Sequence, residues 1–216
     1  YVFFEDIDGL AMFSETVEGV TLPILVPLAA LFYGGPALVD EMEGRTLTYL
    51  TLRPVAKPAL FIGKWLAGST IASLLVVVPV IMLLAIAGIA AGSVDTSYAT
   101  IAKILGMIVV GTTTYTAIFA ALGAAFARSL IGGIVYFVVV ELIFGAIPTI
   151  ELMSLRFHLR AAAEFSKSYR PELLQTLGMS GPITYEWWWG FVIAGFFLSA
   201  AVFLGSIVFS KRQYHV

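Results

Sequence analysis

Glu141 stands alone in an apolar run, FVVVELIFGAI, and is the sole charged residue between Arg128 and Glu151. A carboxylate at bilayer depth costs several kcal/mol unless it is neutralised, paired or hydrated. Two readings stay open for it. It is a protonated group hydrogen-bonded to hydroxyls of a neighbouring helix, or it takes part in a substrate path or in helix gating. A second polar feature, Thr112-Thr113-Thr114-Tyr115-Thr116, lies inside another apolar run. Its hydroxyls either line a polar path or bond back to their own helix and across to neighbours. Other chemistry is sparse. The chain has no cysteine, and His158 has no histidine nearby, His215 being the other one; neither a thiolate site nor a histidine metal site follows. The carboxylates Glu5, Asp6, Asp8, Glu15 and Glu18 match no calcium-loop spacing. No paired carboxylates, His-x-x-x-His or serine motif occurs within the apolar runs, and no Gly-x-x-x-x-Gly-Lys-(Ser/Thr) phosphate loop occurs anywhere.

The elements that carry these residues are membrane helices. Hydrophobic residues make up 60% and charged residues 12%, with a mean hydropathy of +0.97, where soluble domains are about half apolar and a quarter charged. Long uncharged runs containing Gly and Pro predict helices rather than the short alternating strands of a barrel. The expected fold is an all-α integral membrane protein, a polytopic helical bundle with five spans, near 19–39, 65–92, 98–127, 130–150 and 187–210. Pro23, Pro27 and Pro79 predict kinked or tightly packed spans. Trp187-Trp188-Trp189 and Lys211-Arg212 mark the two interfaces of the last span.

Three polar segments flank the spans. Residues 1–18 are acidic without Lys or Arg and are expected outside the cell. Residues 151–186 carry Leu152, Leu155, Leu159 and Ala162 at three- and four-residue spacings beside Arg156 and Arg160, predicting a short amphipathic helix, with a second started by Pro171. Residues 40–64, DEMEGRTLTYLTLRPVAKPALFIGK, form the most charged stretch between the early spans; no charge lies between Glu18 and Asp40 or between Lys64 and Asp95. Acidic residues come first, as a helix N-terminus favours, and Thr46, Leu47, Tyr49, Leu50 and Leu52 suggest a short amphipathic helix. Arg53-Pro54 stops it, and Lys57-Pro58 starts the next segment. The stretch reads as a cytoplasmic loop shaped to receive a soluble partner.

Glu41-x-x-Gly44-x-Thr46-Leu47-x-x-Leu50-x-x-x-Pro54, then Val55-x-Lys57 and Lys64, resembles the signature of ABC-2-type transporter permeases. Their pattern runs roughly E-x-x-x-G-T-L-x-x-L-x-x-x-P-(V/I)-x-(R/K). Here the glycine falls one place early and Arg45 separates it from the threonine. The motif covers about 25 residues, and the order of spans extends the likeness over most of the chain. The resemblance implies the permease subunit of an ATP-driven exporter in the cell membrane, as a homodimer or heterodimer. It implies that Glu41, Glu43, Gly44, Arg45, Thr46, Leu47, Tyr49, Leu50, Arg53 and Pro54 meet a separate ATP-binding subunit through a coupling helix. ATP and magnesium are expected in that partner, and no cofactor in this chain. It also implies short external helices between the last two spans.

With 40–64 inside, Arg45, Arg53, Lys57, Lys64, Arg128, Lys211 and Arg212 face the cytoplasm, and Lys103, Arg156, Arg160, Lys167 and Arg170 face outward. The bias agrees with the positive-inside rule, and the acidic first flank strengthens it. Members of the family resemble six-helix proteins with both ends inside, so one further helix is expected before Tyr1. No basic cluster suggests nucleic acid. Two other functions stay open: a secondary transporter driven by protons at Glu141, and a membrane-embedded enzyme using Glu141, His158 and the arginines. The residues do not identify a substrate.

Overall fold

An apolar run that enters lipid must pair its backbone N–H and C=O groups internally, and a helix does so within one segment. The computed structural model describes residues 9–36, 56–91, 98–126, 129–147, 150–163 and 187–211, and these contain helices and no strand. Five stretches are long and apolar enough to cross a membrane: Met12–Gly34, Lys57–Ile89, Tyr98–Ala125, Ser129–Ala146 and Trp187–Lys211. The chain is an all-α multi-pass membrane protein.

Several boundaries differ from those expected. The first span begins within the acidic flank, as α1 (Gly9–Thr16), widens into a π-helical segment over Val17–Leu25, and continues as α2 (Val26–Gly34). Pro23 lies in the widened segment, where a missing N–H breaks the regular ladder. The second span, α3 (Lys57–Ala91), starts at Lys57 rather than near Trp65 and passes through Pro79 without interruption. Its early start follows from Pro58, which suits the first turn, where no intrahelical N–H bond is needed. The third span is α4 (Tyr98–Ala125). The fourth begins as α5 (Ser129–Tyr136), turns π-helical over Phe137–Ile143, and ends in a tight 3-10 turn, Phe144–Ala146. A second 3-10 turn (Glu151–Met153) leads into α6 (Leu155–Ala162), and α7 (Trp187–Lys211) is the fifth span. Residues 40–55 and 164–186, which include most of the charged loop and the second expected external helix, lie outside the described residues.

The third span is the centre of the bundle. The first, second, fourth and fifth spans all pack on it. It is 61% buried, against 17% for the fourth and fifth. Small residues permit this contact: a Cβ added at Gly34 of the first span would fall 2.7 Å from the Thr116 carbonyl of the third. Tyr115, Phe119 and Tyr136 form one continuous aromatic column between the third and fourth spans. Outward faces remain apolar, with Ile86, Phe196 and Phe203 exposed.

The bundle has two chemically different ends. At one, Glu18 pairs with Arg160, and the Lys103 ammonium lies 5.0 Å from the centre of the Trp187 ring. At the other, the Lys57 ammonium reaches the Ser210 carbonyl at 3.5 Å, and Lys211 closes the last helix.

Candidate functional site

Glu141 is brought to α6 by a change of helical gauge. The π-helical segment widens the turn carrying Glu141, and the 3-10 turn after it narrows the chain so that it can double back. Ile147 and Ser154 are extended, and α6 starts immediately after Ser154. Its first N–H groups have no intrahelical acceptor. Ser154 occupies the N-cap position, yet its side chain does not cap its own helix. Its hydroxyl donates instead to Glu141 Oε2 at 2.6 Å. The backbone N–H of Leu155 donates to Oε1 at 3.2 Å, and that of Arg156 to Oε2 at 3.3 Å. Glu141 therefore supplies, from another helix, the capping side chain that Ser154 does not.

The chemistry of that cap is specific. The two backbone amides can only donate, and the carboxyl oxygens of Glu141 accept from them. The positive end of the α6 dipole faces the same oxygens. The Tyr115 hydroxyl is fully buried and lies within electrostatic reach of the carboxylate, without completing a well-shaped hydrogen bond. Glu141 is 1% exposed. The hydrogen-bonded partners are one hydroxyl and two backbone amides of the following segment, with the Tyr115 hydroxyl of the third span beside them.

The rest of α6 is held equally firmly. Leu155, His158, Leu159, Ala161 and Ala162 are buried against the first, third and fifth spans. A Cβ added at Gly190 would fall 2.5 Å from the His158 carbonyl, so glycine lets the fifth span approach the backbone of α6. His158 Nε2 is 2.9 Å from the Leu152 carbonyl. A carbonyl only accepts, so Nε2 carries the proton. Burial holds the His158 pKa below the ordinary histidine value, although that carbonyl opposes the shift. At the far end of α6, Arg160 makes its ion pair with Glu18. One short helix thus joins the first and fourth spans through charged side chains and the fifth through a glycine.

The threonine cluster is satisfied locally. Thr112, Thr114, Tyr115 and Thr116 are fully buried. Thr112 Oγ1 donates to the Ile108 carbonyl at 2.6 Å, Thr114 to Val110 at 2.7 Å, and Thr116 to Thr112 at 2.6 Å. Thr113 bonds back to Val109 and Val110 at 2.9 Å each. Trp65 Nε1 donates to the Thr113 carbonyl at 3.1 Å, joining the second and third spans. These residues lie on the third span, and Tyr115 alone is brought within electrostatic reach of Glu141. Glu41, Glu43, Gly44, Arg45, Thr46, Leu47, Tyr49, Leu50, Arg53 and Pro54 lie outside the described residues. Among the described residues, no three His, Cys, Asp or Glu side chains gather where they could hold a metal ion.

Sequence reasoning singled out Glu141 and the α6 pattern but missed Ser154 and the Glu18–Arg160 pair. Ser154 was open to recognition as a helix-start residue just before Leu155. The ion pair joins positions 142 apart in the chain, and nothing local announces it.

The family model described as an ABC-2 family transporter protein matches residues 3–147, about two thirds of the chain and all of the first four spans. The chain belongs to the ABC-2 transporter family. This ABC-2 protein is a membrane permease of an ABC transporter, a transport component rather than an enzyme, and its family associates with an ABC ATP-binding subunit. No curated protein and no solved structure matches it. The match includes Glu141 and the charged stretch 40–64, and ends before Ser154 and α6.

Proposed function

We propose that this ABC-2 permease is the membrane subunit of an ATP-driven exporter in the plasma membrane, working as a dimer with ATP-binding subunits docked at residues 40–64. The observation that carries the reading is the family match across a charged stretch that has the E-x-x-G-x-T-L-x-x-L-x-x-x-P pattern. That stretch leads directly into α3 at Lys57. Glu41 and Glu43 meet basic groups of the partner, Leu47, Tyr49 and Leu50 fill its cleft, and Arg53 fixes the register. Binding of ATP and magnesium in the partner draws two such loops together and shifts the spans between inward-open and outward-open states, a change driven by differential binding.

Glu141 and the threonines have structural occupations in the described state. A path lined by them, or proton-driven transport through Glu141, requires a second state in which those bonds are released.

The test is a pull-down from detergent-solubilised membranes with wild type and a Glu41→Lys, Leu47→Asp double variant. An ATP-binding subunit retained by wild type and lost from the variant supports docking at this loop. Retention by both, with equal ATPase stimulation, overturns it.

A further inference from the structure

A groove of about 620 Å³ runs between the start of the second span and the end of the fifth, on the outer surface of the bundle. Ile62 forms one wall, and Val202, Phe203 and Ile207 form the other. From Ser199 to Lys211 the groove follows twelve helical steps, about 18 Å at 1.5 Å each. One leaflet of hydrocarbon is about 15 Å deep, half of a ~30 Å core. Counted from headgroup level at Lys211, the groove therefore reaches most of the way through one leaflet, and its lining is mainly apolar.

Its mouth is cationic. Lys211 lines it, and the exposed Lys57 is beside it, reaching the carbonyl of Ser210 at 3.5 Å. Among the described residues of α3 and α7 there is no Asp or Glu to neutralise them. Ser199 and Ser210 bond back to their own helix, but the Ser206 hydroxyl is buried with no partner among the described residues. Ser206 lies about 7.5 Å deeper than Lys211 along the helix axis, the level at which a glycerophospholipid carries its ester oxygens beneath its phosphate.

We infer that this groove is a binding site for an anionic phospholipid. One acyl chain lies between Ile62 and the Val202–Ile207 wall, and the phosphate sits between the ammonium groups of Lys57 and Lys211. The inference rests on membrane embedding and on these two helices; it shares Lys57 and Ile62 with the stretch 40–64, but none of the residues from Glu41 to Pro54 proposed to meet the ATP-binding subunit. A lipid seated there joins the first turn of the second span to the last turn of the fifth.

Native mass spectrometry of the purified transporter, titrated with phosphatidylglycerol or with phosphatidylcholine of identical acyl chains, tests it. Wild type is expected to prefer phosphatidylglycerol by roughly thirtyfold, the effect of two basic side chains beside an anionic headgroup. The Lys57→Gln, Lys211→Gln variant, altered at exposed positions alone, should lose that preference while still binding both lipids weakly. Val202→Trp, which fills the groove, should displace both. Equal retention of the two lipids by wild type overturns the inference, as does a preference that survives in the double lysine variant. Efficient cross-linking of Ser206→Cys between two copies in membranes also overturns it, because a second copy would then occupy the groove.

Discussion

Glu141 and Ser154 lie on opposite arms of the turn between the fourth span and α6, and the Ser154 hydroxyl donates to the Glu141 carboxylate at 2.6 Å. That bond and the two amide bonds beside it engage a costly buried carboxyl group as the cap of a neighbouring helix. A carboxylate at bilayer depth is expected to be rare and to have a purpose. Here its described contacts are all with the start of α6.

Replacing Glu141 should therefore destabilise the protein in a graded way. Glu141→Gln keeps the shape but gives up the charge-assisted bonds and turns an amide NH₂ toward donors, at a cost of about 1–3 kcal/mol. Glu141→Ala strands a hydroxyl and two amides and should cost more. Ser154→Ala removes one bond and should cost about 1 kcal/mol. Thermal unfolding in detergent orders the three, and a Gln variant as stable as wild type would show that the charge is not used.

Gly190→Ala should also destabilise, because the new methyl has to displace the α6 backbone at His158. Overpacking of this kind costs about 1–3 kcal/mol. Gly195 on the same helix has nothing within 4 Å of an added Cβ, so Gly195→Ala should be neutral or stabilising by up to about 1 kcal/mol. Melting temperatures of the two variants moving in the same direction would contradict the close approach of α6 and α7.

The Glu18–Arg160 pair is about one third exposed on each side. Its worth should be within about 1 kcal/mol and should fall as salt is raised. Glu18→Arg and Arg160→Glu should each weaken the fold slightly, and the two together should recover most of the loss. A double variant no better than the sum of the singles would mean that the pair carries no coupling energy.

His158 makes stability depend on pH. Burial lowers its folded pKa, so the unfolded chain takes up a proton first, near pH 6.5. The stabilisation is complete above that value and is lost progressively as pH falls from about 6.5 through the folded pKa. His158→Gln, which keeps a donor for the Leu152 carbonyl, should flatten the melting temperature across that window. An unchanged slope would assign the dependence to other groups.

Composition and periodicity by themselves determined that the chain is a helical membrane protein, where its five apolar runs lie, and that Leu155, Leu159 and Ala162 mark a short amphipathic helix. The physical reason is local: a run that enters lipid has to satisfy its own backbone, and an amphipathic face repeats every three or four residues. The family was legible because the motif from Glu41 to Pro54 is contiguous. The start of the second span at Lys57 was half legible, since Pro58 announces a first turn while Lys64 looks like the edge of lipid. Tertiary structure alone decided what Glu141 bonds to. Its donors come from a segment that reaches it through a π-helical widening and two 3-10 turns, and such changes of helical gauge have no residue pattern of their own. It also decided that Glu18 meets Arg160 and that Lys57 meets the end of the fifth span. Those contacts depend on which helices pack together, and packing against the third span is set by the whole bundle rather than by any one stretch of sequence.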